Sequence, residues 1–268
     1  MTNGNIAGLA ALTLNGSLSL GGGNIAGVGV VNITDCRTTA ISGGSTASFI
    51  NSPLRRCVDR SGTYRFPVGS NGVYAAVELS NVTGTGTFTV EPKTGAFSGA
   101  AAGLPANRLG RWWSTSGMGI TQADMVFTYF EPEITGLEPR QKLYSINGGN
   151  AQVLATTLTT TTNRASVTGV TAFSAFTLAD GPSLPAELKG RVRAASGKGA
   201  LHVLVSLTDQ SGNVRYAFAN PFGYYHFPNT MTWGTYTVTV QSKRYTFTSN
   251  SQSVLFPENS PDVNFTAT

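Results

Sequence analysis

The sequence predicts an all-β protein: two Ig-like or Greek-key β-sandwich domains behind an N-terminal strand-rich extension, solenoid-like or donated-strand. Three observations predict it. Apolar and polar residues alternate through most of the chain, the period of a half-buried strand. Glycine is abundant, at 32 of 268 residues, and only 12% of residues are charged, as suits many short strands joined by tight turns. No stretch places apolar residues at the 3.6-residue spacing of a capped helix.

The first element is the extension, residues 1–62. Gly4-Asn-Ile-Ala-Gly-Leu-Ala-Ala-Leu-Thr-Leu14 is echoed by Gly23-Asn-Ile-Ala-Gly-Val-Gly-Val-Val-Asn-Ile33. Each copy is a glycine-rich turn followed by alternating apolar positions. Repeats this short suggest solenoid rungs or paired hairpins, each unit burying its apolar face on the next. Two units are too few to stand alone. They must cap another fold, continue an upstream solenoid or pair with another chain. An extended segment can also complete a neighbour's sheet, main-chain hydrogen bonds giving affinity and alternate apolar side chains giving register. Ile6, Leu9, Leu12, Leu14, Leu18, Leu20, Ile25, Val28 and Val30 are the candidate assembly residues.

Cys36 and Cys57 flank a stretch rich in Thr, Ser and Gly that can fold back on itself. In an oxidising compartment a disulfide there closes a loop and contributes about 3 kcal/mol. The alternative is two buried free thiols. Neither cysteine sits in a zinc-binding spacing.

Residues 63–180 are the second element, with short strands at roughly ten-residue spacing, the pattern of a Greek-key sandwich. The block contains Phe66-Pro-Val-Gly69, Arg111-Trp-Trp113 and Gly169-Val-Thr-Ala-Phe-Ser-Ala-Phe-Thr-Leu-Ala-Asp180. On these motifs it resembles a β-sandwich module of large secreted bacterial surface proteins, which implies fold and secretion more than activity. Gly181 to Glu187, with two prolines, reads as a stiff linker.

Residues 188–268 are the third element. The order Lys189-Gly-Arg-Val-Arg193, Leu201 to Thr208, Asp209-Gln-Ser-Gly-Asn213, Gly223-Tyr-Tyr-His-Phe-Pro228 and Gly234-Thr-Tyr-Thr-Val-Thr-Val240 resembles the carboxypeptidase regulatory-like, prealbumin-like domain. That resemblance implies a stalk or spacer sandwich whose Gly-x-Tyr-x-Phe strand packs Tyr225 and Phe227 into the core. His202 and His226 are then expected to face outward.

The chain offers little chemistry. Its net charge is +5 and its pI about 9.4. The basic residues fall in pairs, Arg55-Arg56 near Arg60, Arg191 with Arg193, and Lys243-Arg244, not the aromatic-interleaved stripe of a nucleic-acid binder. No Gly-x-Ser-x-Gly elbow occurs. Ser196-Gly-Lys-Gly199 lacks the spacing of a phosphate loop. Glu131 and Glu133, near Glu138, are the closest carboxylate pair and read as a solvated strand end rather than a hydrolase pair. Asp209 to Asn213 lacks the acids and closing Glu of a calcium loop. No catalytic residue, cofactor or metal is expected. Trp112, Trp113 and Trp233 are candidate interface or glycan-stacking aromatics. Adjacent Trp112 and Trp113 on one strand must point to opposite faces.

The resulting expectation is a non-enzymatic, extracellular or cell-surface bacterial protein. It is expected to be a subunit of a filament or fibre, or an adhesin stalk, assembling with copies of itself through β-strand addition, with a surface glycan or a neighbouring cell as a further partner. The rival is a carbohydrate-binding or spacer region of a secreted multi-domain enzyme. No apolar run nears 18 residues, so no membrane insertion is expected. The start lacks the charged and apolar regions of a signal peptide, which suggests a processed or partial product. Asn15, Asn32, Asn81 and Asn264 sit in Asn-x-Ser/Thr matches, expected to be unmodified in a bacterium.

Overall fold

A computed structural model describes residues 8–59, 62–257 and 262–268. It is all-β. Among the described residues the only helical segments are three-residue 3-10 turns, and no helix is long and apolar enough to cross a membrane. The chain divides into two compact units, Met1–Gly181 and Pro182–Thr268.

The first unit opens as a short parallel solenoid. β1 (Leu12–Leu14), β2 (Leu18–Leu20) and β3 (Ile25–Ala26) form one rung; β4 (Val31–Ile33), β5 (Ile41–Gly43) and β6 (Ile50–Asn51) form the next. Each strand pairs in parallel with its counterpart: Leu12 with Val31, Leu18 with Ile41, Ile25 with Ile50. The repeat is therefore one turn of the coil. Asn32 Nδ2 donates to Thr13 Oγ1 at 3.3 Å, one repeat of 19 residues away. Asn24, from the second GNIAG copy, accepts the Phe49 N–H at 2.9 Å from the following rung, 25 residues on. That bond gives the asparagine of the second copy a structural role; Asn5 of the first copy lies outside the described residues. Inserted residues around 37–48 lengthen the second rung relative to the first.

β7 (Leu54–Val58) begins a third rung, parallel to β4 on one edge. Its other edge is antiparallel to β11. The parallel coil thus turns into an antiparallel sandwich at β7. β8 (Tyr64–Phe66) and the short β9 (Gly69–Ser70) and β10 (Val73–Tyr74) lead into a long hairpin, β11 (Val77–Thr94) and β12 (Arg111–Thr128). Its register shifts between Ser80 and Thr87. Gly119 lies in that bend at φ +78°, where a Cβ would stand 2.2 Å from the Thr85 carbonyl oxygen, so only glycine fits. β13 (Gln141–Asn147), β14 (Asn150–Val153), β15 (Thr157–Thr159), β16 (Arg164–Val170) and β17 (Ala175–Asp180) follow.

The bend lets one hairpin serve two layers. Beyond the bend on one side, β8 flanks Val77–Leu79 and β16 flanks Ala123–Thr128. On the other, β7 flanks Gly86–Val90 and β17 flanks Trp113 and Ser114. Side chains of the two halves meet, with the Trp113 and Phe127 rings 5.0 Å apart and Phe66 and Phe88 5.7 Å apart. Leu18, Val31 and Ile33 of the solenoid share one buried cluster with Phe88, Trp113, Phe127 and Leu178 of the sandwich. Two rungs cannot close a core alone, and here the sandwich closes it.

The second unit is a sandwich of two sheets. β18 (Pro185–Arg193), β21 (Tyr224–Met231) and β24 (Phe265–Thr266) form one. β19 (Leu204–Thr208), β20 (Val214–Phe218), β22 (Thr235–Gln241) and β23 (Ser251–Leu255) form the other, in the order β20-β19-β22-β23. Alternate residues point inward, and Val192, Val205, Tyr225, Phe227, Val238 and Phe265 fill the core. Two details differ from the sequence reading. β18 begins at Pro185, inside the stretch read as linker, because proline at a strand's first position forfeits no ladder bond. His202 lies in a turn at φ +59°, since the strand read from Leu201 begins only at Leu204.

Cys36 and Cys57 form a disulfide across 21 residues, with Cα atoms 4.5 Å apart. It ties the corner after β4, the first side of the second rung, to β7 and, by loop entropy, contributes about 3 kcal/mol. Replacing both cysteines by serine is expected to lower the melting transition of the first unit and leave that of the second in place. Calorimetry distinguishes this from a shift of both transitions or neither, which would contradict the staple's local role.

Candidate functional site

The most distinctive surface of the first unit is the outer edge of its first rung. Leu12 N–H donates to Val30 O at 2.9 Å, and Leu14 O accepts from Thr34 N–H at 3.1 Å. Leu12 and Leu14 therefore turn their backbone toward β4. Successive residues of a strand face opposite edges, so Thr13 turns its N–H and C=O the other way. On the second side of the coil Leu20 O accepts from Gly44 N–H, and Ser19 is turned outward by the same alternation. Among the described residues β1, β2 and β3 each have one strand neighbour. Unpaired strand edges of this kind are templates for another chain.

The apolar side chains of that rung are already used. Leu18, Leu20 and Val28 are buried, and Leu12, Leu14 and Ile25 pack partly buried against the same cluster. Val30 is half-buried and Leu9 is 44% exposed. Ile6 lies outside the described residues. Inserting these side chains into a neighbour would first strip Leu18, Leu20 and Val28 from this core, at about 1.5–3 kcal/mol each. The available feature is the backbone edge, which suits stacking of a further strand rather than donation of this one.

Behind the rung lies a buried cation that sequence reading missed. β7 alternates inward at Leu54, Arg56 and Val58, so Arg56 enters the core where an apolar residue is the ordinary choice. Its Nη1 donates to Arg65 O at 2.7 Å and its Nη2 to Arg37 O at 2.9 Å. The guanidinium also lies 5.0 Å from the Tyr64 ring centroid and 5.6 Å from that of Phe66. Burial lowers its pKa to about 10, so it remains charged at neutral pH. Asp35, two residues before Arg37, is held at about 2 chiefly by its side-chain hydrogen bond to Arg37; the pair closes to 2.5 Å.

The remaining candidates resolve into structure. Trp113 is fully buried and its indole donates to Ala75 O at 2.8 Å, so it presents nothing to a partner or glycan. Trp112, on the opposite face, is half-exposed with its ring 5.1 Å from Phe97. Trp233 is half-buried at φ +64°. Glu133 is bound bidentately by buried Arg111, at 2.9 and 2.7 Å, and Glu138 accepts from Tyr129 Oη at 2.7 Å. The carboxylates near Glu131 are thus committed to packing. Asp209 accepts from the N–H groups of Ser211 and Asn213, each at 2.9 Å, which makes it the hinge of a hairpin turn. His226 pairs with Glu187 at 2.5 Å on the surface. No group of three or more metal-ligating side chains occurs among the described residues.

In the second unit Tyr225 and Phe227 are buried while Tyr224 and His226 face outward, as the Gly-x-Tyr-x-Phe pattern requires. Residues 187–268 match the family model of the carboxypeptidase regulatory-like domain. The regulatory-like domain is a β-sandwich module, and the matched family is not a catalytic one. No curated protein matches the chain. Sequence reading also passed over the outer face of this domain's β20, where Tyr216 and Phe218 are 66% and 67% exposed. The signal was present in the alternation Val214-Arg-Tyr-Ala-Phe218.

Two outcomes follow from the buried cation and its neighbour. Arg56→Ala takes a donor from the Arg65 carbonyl, leaves the Arg37 carbonyl with the Ala40 N–H and opens a cavity, so the first unit is expected to lose about 2–5 kcal/mol in urea denaturation. Wild-type stability in that experiment would show that Arg56 is not a structural tie. Asp35 has a lower pKa folded than unfolded, so its stabilisation is present above about pH 4 and disappears as pH falls toward 2. Asp35→Asn is expected to flatten that limb of the acid-denaturation curve; an unchanged limb would refute the assignment.

Proposed function

We propose that this chain is an extracellular structural subunit of a bacterial surface filament, fibre or adhesin stalk, and that copies join by β-strand addition at the open first rung. The observation that carries this reading is the outer edge of β1 and β2, where, among the described residues, Thr13 and Ser19 turn hydrogen-bonding groups away from the coil. An added strand satisfies those groups through the main chain alone, so it needs no specific pocket. The disulfide suits an oxidising compartment, and the low charge leaves few like-charge contacts between copies. The regulatory-like domain adds a spacer with no catalytic constellation among its described residues.

Proline at position 13 gives a direct test. Thr13 makes no backbone bond to β4 and touches it only through its hydroxyl, which accepts from Asn32 Nδ2, so Thr13→Pro removes an outward N–H and one exposed side-chain bond without breaking the internal ladder. Truncation is less selective, because Val31 and Ile33 of β4 belong to the core. The variant is expected to keep its circular dichroism spectrum and melting profile and to lose ordered assemblies in negative-stain images. Assemblies identical to those of the wild type would rule out addition at this rung.

A further inference from the structure

The regulatory-like domain has an open edge of its own, unrelated to the solenoid. β20 pairs only with β19 among the described residues. Ala219 N–H donates to Val203 O at 2.9 Å, which sets the alternation: Arg215 and Ala217 turn their backbone toward β19. Val214, Tyr216 and Phe218 turn theirs to the free edge. The same three residues carry their side chains on the outer face, 43%, 66% and 67% exposed. The strand contains no proline, lysine or bulge, three of the devices that protect an edge. Its one charge, Arg215, is exposed but by alternation is carried on the face opposite Val214, Tyr216 and Phe218. Arg215 donates to Pro228 O and Thr230 Oγ1 and lies 5.6 Å from the centroid of the Phe227 ring.

We propose that β20 is a homodimer interface in which two copies of the domain pair antiparallel about a two-fold axis at Tyr216. The sequence of the strand is complementary to itself in that register. Tyr216 faces Tyr216 of the second copy, and Val214 faces Phe218 of the second copy. Each of these pairs exchanges two N–H to O=C bonds, so every outward-turned backbone group of the strand is used. Aromatic and β-branched side chains facing one another across the ladder add to the pairing. Arg215 falls opposite Ala217 of the second copy. An axis at Arg215 would set two guanidiniums face to face, and an axis at Arg215 or at Ala217 would present backbone already bonded to β19, so both neighbouring registers are excluded. The two four-stranded sheets become one continuous sheet. A C2 contact of this kind is closed and isologous, and it does not depend on the open rung.

Sedimentation velocity on the full chain bearing Thr13→Pro removes the rung's contribution. The expected particle has twice the 28.0 kDa chain mass. Adding Tyr216→Pro or Phe218→Lys returns it to monomer; if the proline variant fails to fold, the surface lysine variant decides. Register is read in the otherwise wild-type chain by oxidative cross-linking. Paired Cα atoms about 5.5 Å apart lie within disulfide reach, so Tyr216→Cys is expected to cross-link to its own copy. Val214→Cys alone is not, whereas Val214→Cys combined with Phe218→Cys is. A monomeric Thr13→Pro chain, a dimer indifferent to Phe218→Lys, or Tyr216→Cys cross-linking no faster than Val214→Cys would overturn the proposal. So would a monomer that takes up only an added extended peptide of unrelated sequence.

Discussion

The architecture of the first unit turns on a guanidinium held in its core. Arg56 lies on the one strand that is parallel to the solenoid and antiparallel to the sandwich. Its donors reach the Arg37 carbonyl beside the second rung and the Arg65 carbonyl on β8. Those carbonyls belong to segments that no common ladder joins. A planar group with fixed, divergent N–H bonds can hold both at once; an ammonium on a flexible stem cannot hold them in the same geometry. Tyr64 and Phe66 cover its faces, which lessens the cost of taking a charge out of water. The apolar alternation of β7 is interrupted there because direction changes there.

Much of the rest follows from that junction. The coil has one end closed by β11 and, among the described residues, the other bounded by β1 and β2, each with a single strand partner. Its interior is apolar and continuous with the sandwich. At the outer end of the described rungs the backbone of Thr13 and Ser19 is turned outward while the leucines beside them are packed. Burial and edge hydrogen bonding are thus separate matters here. The regulatory-like domain presents the same kind of edge on β20, with aromatic side chains beside it.

The sequence was most readable where structure is local. Period-two patterning marked the strands, and the spacing of the two GNIAG copies was the pitch of one rung. Spacing put Tyr225 and Phe227 on one face and the resemblance to the regulatory-like domain put that face in a core, while composition favoured the disulfide between the two cysteines. It was least readable where partners are distant. Arg56 looked like half of a surface basic pair with Arg55, because the carbonyls that neutralise its donors lie on other elements. Adjacent tryptophans had to face opposite ways, but only the contact of Trp113 with Phe127 and Ala75 decides which is inside. The bent hairpin of β11 and β12 read as several short strands because glycines interrupt its pattern, though its backbone pairing continues through the shifts in register. The Leu18, Leu20 and Val28 side chains read as available for a partner because the sandwich that covers them begins some thirty residues later in the chain.

The staple between Cys36 and Cys57 has a mechanical consequence. In the proposed fibre or stalk, tension entering through the first rung would reach Cys36 and cross to Cys57 through sulfur. The intervening segment, with its 21-residue separation, is bypassed and bears no tension. The turn that holds the Arg37 carbonyl, the second and third sides of the rung, and Arg56 itself all lie within that shielded span. A pulled subunit can lose its outermost strands one at a time while the junction beneath them keeps its shape, so yielding stops at the sulfur bridge and re-forming needs only the strands that were shed.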